Sequence, residues 1–114
     1  TVTDSHLDYE GSCEIDISLL NAAGISVHEK IDIYNITNGE RFTTYAIEGK
    51  PETGNICLNG ACCHKASIGD KVIICTYADI DIKEIKNHKP KIIHVDDKNR
   101  ILDSNNFDNV SLVE

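Results

Sequence analysis

Apolar residues in this chain come in short runs broken by turn residues, and the clearest run alternates strictly with polar positions. From Lys30 to Ile36, Ile31, Ile33 and Asn35 share one face while Asp32, Tyr34 and Ile36 share the other, which predicts a strand. Asn38-Gly39 follows as a hairpin signal, and residues 41–47, rich in β-branched and aromatic side chains, predict the returning strand. Residues 55–58 predict another strand, and residues 71–77 a buried one introduced by the Gly69-Asp70 turn. Residues 91–95 predict one more, ahead of the polar turn at 96–99. Two stretches read otherwise. Residues 16–23 have helix-like apolar spacing with Gly24 as a stop, and residues 81–88 predict one or two helical turns closed by Pro90. No internal repeat is visible. Many short strands joined by turns predict a mainly β barrel or sandwich with short helical connectors.

At 114 residues the chain supports a single domain, placed at 1–102, and residues 103–114 are expected to be a mobile acidic tail. A formal net charge of -8 argues against nucleic acid as a partner, because binding phosphates needs clustered Lys and Arg. It leaves room for a small anionic substrate, provided that substrate meets a locally placed cation. The longest apolar run, residues 72–75, is far below the roughly 20 residues that span a bilayer, so no membrane association is expected. No secretion signal is recognisable, and the patterns at Asn35 and Asn109 are read as chance matches to a glycosylation site. The five cysteines are odd in number and irregular in spacing, which fits a reducing cytoplasm better than a disulfide framework. Cys62-Cys63-His64 is too tightly spaced for its side chains to converge on one ion, so no metal is expected and the cysteines read as small packing residues.

The informative stretch is Tyr9-Glu10-Gly11-Ser12-Cys13, taken with the segment from Asn38-Gly39-Glu40-Arg41 to Tyr45 and with Leu58-Asn59-Gly60-Ala61. In this order and at these separations the three segments resemble the bacterial aspartate 1-decarboxylases, and the resemblance runs from Thr1 to about Val95. It implies a double-psi β-barrel, assembled as a homotetramer with active sites between neighbouring subunits. It also implies self-cleavage between Gly11 and Ser12. The serine hydroxyl attacks the Gly11 carbonyl, the resulting ester eliminates to dehydroalanine, and hydrolysis leaves a pyruvoyl group in place of Ser12. That group serves as the cofactor: it forms a Schiff base with L-aspartate and draws off the electrons left by carbon dioxide, giving β-alanine for pantothenate synthesis.

The same resemblance implies roles residue by residue. Thr44 and Asn59 hold and polarise the scissile region, where an oxyanion needs donors. Arg41 grips a carboxylate of aspartate through two parallel hydrogen bonds. Tyr45 donates a proton to the transient carbanion. The backbone of Gly60, Ala61 and Cys62, together with Thr44, touches substrate. Taken singly, Thr44 and Asn59 would be ordinary strand-end and turn hydrogen bonders, Arg41 a solvent-facing strand residue, and Tyr45 a packing residue. Two departures stand out. The resemblance implies a strand ahead of Thr1 carrying a lysine and a histidine, which this chain is expected to lack. Cys62-Cys63 also stands where alanine-like residues are expected. Three other readings stay open at this point: a catalytically inactive barrel serving as a binding module, a pyruvoyl decarboxylase for another amino acid, and a serine hydrolase. The last has no nucleophile elbow to support it, and nothing in the sequence places a histidine beside Ser12.

Overall fold

The structure, a computed structural model, describes residues 1–102. It is mainly β. The strands are β1 (Asp4–His6), β2 (Ser12–Asp16), β3 (Lys30–Asn35), β4 (Arg41–Gly49), β5 (Ile56–Asn59) and β6 (Val72–Cys75), joined in one sheet of order β1-β5-β2-β4-β3-β6. The pairs β1–β5 and β2–β4 are parallel, whereas β2–β5, β3–β4 and β3–β6 are antiparallel. The two ends of this order meet where Val2, just ahead of β1, exchanges backbone hydrogen bonds with Gly69 and Asp70, just ahead of β6. Mixed pairing with its ends brought together is compatible with a double-psi β-barrel. The helical connectors are α1 (Ile17–Ala23) and two short 3-10 turns, Gly60–His64 and Ile85–Asn87.

Local chemistry explains the elements. Asp16 caps α1 by accepting from the Ser18 backbone N–H at 2.8 Å, and Gly24, at φ +74°, closes it in the left-handed conformation. On β3, Ile31, Ile33 and Asn35 are buried as the alternation predicts. The buried Asn35 organises the hairpin that follows, its Oδ1 accepting from the backbone N–H groups of Thr37 and Asn38. The β3–β4 loop is therefore wider than a two-residue turn, and of Asn38-Gly39 only Gly39 takes a positive φ. The core gathers Cys13, Ile31, Ile33, Ala46 and Leu58, all fully buried.

Two expectations need correction. Residues 91–95 do not form a strand: Ile93 and Val95 pack against the core, but the backbone pairs only at the isolated bridge Val95–Ile101. The apolar alternation there is satisfied by packing alone. The strand expected to be buried at 71–77 forms as β6, yet it is half-buried because it lies at one end of the sheet order. The tail expected at 103–114 lies outside the described residues.

Candidate active site

Ser12 opens β2, between β5 and β4 in the sheet, and is 4 % exposed. The antiparallel register sets it opposite Asn59, whose Nδ2 donates to Ser12 Oγ at 2.9 Å. An oxygen that accepts this bond keeps its own proton and a second lone pair for other partners. The line of contacts continues, since the Cys57 thiol donates to Asn59 Oδ1 at 3.6 Å. Burial, with the carboxylates of Asp4 and Glu14 adding to it, pushes the Cys57 thiol up to about 11.

Gly60 packs directly against the Gly11-Ser12 region. Its φ is +72°, and a Cβ there would stand 2.8 Å from the Tyr9 carbonyl oxygen and 3.0 Å from both Cα and N of Gly11. Backbone can come this close only without a side chain. Gly11 differs. Its φ lies outside the left-handed region, and a Cβ would meet nothing within 4 Å.

On β4 the parallel register pairs Ala46 with Cys13, which sets Tyr45 beside Ser12. Tyr45 is 37 % exposed and lines the same cleft as Ser12 and Asn59. Thr44 points to the other face of β4, and on that side burial pushes the Cys62 thiol up while Thr44 works the other way. Cys62 and Gly60 are buried in the 3-10 turn, Ala61 is exposed, and Cys63 donates to the Leu58 carbonyl at 3.4 Å.

Arg41 is not brought to Ser12 within one chain. It shares the outer face of β4 with Tyr45 but lies four residues away, about 13 Å at roughly 3.3 Å per residue. There its guanidinium stacks on Tyr34, 4.5 Å from the ring centroid.

The cleft around Ser12 has a volume of about 610 Å³. Its lining includes the acids Asp4, Asp8, Glu10 and Glu14, and neither Lys nor Arg is part of it. His6 also lines it, as do Cys57 and Glu14, which sequence reasoning passed over. Their placement follows from β1 and β2, whose pairing partners lie far along the chain. For Glu14 a signal existed in the two-residue spacing from Ser12. No helix among the described residues is long and apolar enough to cross a membrane.

Comparison with known proteins agrees with this geometry. The family model described as aspartate decarboxylase matches residues 1–102. The aspartate 1-decarboxylase of Ralstonia nicotianae is 56 % identical over 101 residues, covering 89 % of this chain and 84 % of the relative. The aspartate 1-decarboxylase of Hydrogenovibrio crunogenus is 53 % identical over 106 residues, covering 93 % and 82 %. That of Alkalilimnicola ehrlichii is 50 % identical over 105 residues, covering 92 % and 83 %. Matches of this extent and identity, over the stretch that contains Ser12, Arg41, Tyr45 and Asn59, place the chain in the aspartate decarboxylase family of enzymes.

Proposed function

We propose that this protein converts L-aspartate to β-alanine and carbon dioxide, using a pyruvoyl group made from its own Ser12 after cleavage at Gly11-Ser12. The observation that carries this reading is the buried Ser12 hydroxyl, held by Asn59 at 2.9 Å beside a backbone so close to Gly60 that a Cβ there would stand 3.0 Å from Gly11. Asn59 orients the oxygen nucleophile, and the tight Gly60 turn holds the scissile segment against it. The site suits the group that would form, since residue 12 faces a cleft roomy enough for a small amino acid. A pyruvoyl group supplies a carbonyl that captures the substrate amine and a neighbouring carbonyl that withdraws electrons. Tyr45, at the side of residue 12, delivers the proton that replaces carbon dioxide in this reading. Thr44, on the opposite face of the strand, supports the site through Cys62 and the Gly60–His64 turn, and the exposed Ala61 offers its backbone to substrate.

Aspartate brings two carboxylates into a cleft lined by four acids, so it needs a cation that this cleft does not contain. Arg41 of a neighbouring subunit meets that need. Its stacking on Tyr34 holds the planar guanidinium outward on the strand's exposed face. We therefore read the working form as a homotetramer with sites between subunits. It acts in the cytoplasm without nucleic acid or membrane, in supply of pantothenate.

The test is β-alanine formation from L-aspartate by the full-length protein, with Tyr45→Phe beside it. The wild type is expected to release β-alanine and carbon dioxide in equal amounts. Tyr45→Phe is expected to self-cleave normally yet turn over on the order of 10² to 10⁴ times more slowly, the usual cost of a lost general acid. A wild type that leaves aspartate untouched after cleavage, or a variant with full turnover, would remove the reading or the residue respectively.

A further inference from the structure

The parallel pairing of β1 with β5 sets Asp4 opposite Cys57, and strand alternation puts His6 on the same face as Asp4. A thiol, an imidazole and a carboxylate thus converge, with one donor atom of each within 4.8 Å of the others. The decarboxylation outlined above does not use these three as a set. We propose that Asp4, His6 and Cys57 form a binding site for a thiophilic divalent cation of the zinc class at the mouth of the Ser12 cleft.

The geometry is close to what such an ion requires. Tetrahedral zinc with bonds of about 2.0–2.1 Å to nitrogen and oxygen holds those two atoms roughly 3.3 Å apart. His6 Nε2 and Asp4 Oδ2 already stand 3.2 Å apart. The thiolate needs to sit roughly 3.5 Å from each, given a zinc–sulfur bond of about 2.3 Å. A contraction of about 1.3 Å from the outer limit of the cluster reaches that spacing, and Asp4 and His6, each about half exposed, can supply it. Tyr9 packs against the His6 ring with centroids 5.6 Å apart and limits its rotation.

Charge favours the same outcome. Asp4 and Glu14, which oppose a bare thiolate on Cys57, attract a dication placed beside it, and Asp8 and Glu10 extend the negative lining. Three protein donors would leave a fourth position for water or another ligand, and all three residues line the cleft that also holds Ser12. The donor set also separates this site from the linear Cys62-Cys63-His64 sequence, which forms no such cluster among the described residues. The expectation of no metal rested on that run alone, whereas the Asp4, His6 and Cys57 cluster is brought together only by strand pairing.

The experiment is a cobalt(II) titration of the full-length protein carrying Ser12→Ala, which lacks the hydroxyl proposed for self-cleavage, so its result does not depend on that chemistry. One cobalt per chain and a thiolate-to-cobalt charge-transfer band are expected, and zinc should displace the cobalt. Cys57→Ser should abolish the band. His6→Gln, at a half-exposed position where folding is not at stake, should weaken binding by on the order of ten-fold or more. Joint replacement of Cys62 and Cys63 by Ser should leave the band in place. Absence of the band in the parent would overturn the proposal, as would a band that survives Cys57→Ser or vanishes with Cys62 and Cys63.

Discussion

Gly60 brings backbone conformation and chemistry together at one residue. Its positive φ alone disfavours any side chain, and its contacts with Tyr9 and Gly11 leave no room for one. Gly60→Ala is therefore expected to push the 9–11 segment away from Asn59 and Ser12, at a cost of about 1–3 kcal/mol. Self-cleavage should slow much more than global stability alone would explain. Thermal melts and the time course of fragment formation, measured together, check this: a variant that melts lower but cleaves at the normal rate would detach Gly60 from the reaction. Gly11, in open space, is the more tolerant position sterically. Motif spacing does not reveal the contact between 60 and 9–11, because it depends on β5 meeting β2.

Asp16 does for the elements what Gly60 does for the cleft. Its carboxylate ends β2, caps α1 and ties down the loop before β5. It accepts from Ser18 N–H at 2.8 Å, Ser18 Oγ at 2.6 Å, Glu52 N–H at 3.0 Å and Gly54 N–H at 2.9 Å. Burial works to raise its pKa, but these hydrogen bonds outweigh burial and hold it below the ordinary carboxylate value. A depressed folded-state pKa contributes stability that is complete above the unfolded value, about 3.9, and is lost as pH falls through the folded one. Asp16→Asn should cost about 1.5–3 kcal/mol near neutral pH. The difference from wild type should shrink on acidification through and below pH 4 or so. Denaturant midpoints across that range test it, and a pH-independent difference would rule out the charge as the cause. The helix after Asp16 and the strand after Lys30 were legible because their periodicities are complete. β1 was not, being a three-residue polar strand, and β2 was hidden because Gly11-Ser12 looks like a turn.

For the molecule as a whole, Ser12, Asn59 and Tyr45 share one cleft while Arg41 lies along the outer face of β4. Motif spacing could mark all four as a set, but it carries no information on which chain supplies each. Nor could it show Cys57 and His6 in that cleft, since about fifty residues separate β1 from the strand it pairs with. If Arg41 serves a neighbour's cleft, Ser12→Ala and Arg41→Ala chains, each inactive alone, should regain part of the β-alanine activity when refolded together. Inactivity of the mixed oligomers would return Arg41 to its own chain's site.

In the proposed reaction Ser12 becomes the catalytic group by breaking the chain that carries it, and intact mass reports this without any substrate. The full-length protein, after long warm incubation, is expected to separate into a fragment ending at Gly11 and a larger fragment whose residue 12 is a blocked pyruvoyl. A single unbroken chain, or a cut that leaves an ordinary serine at position 12, would exclude Ser12 as the source of the catalytic group.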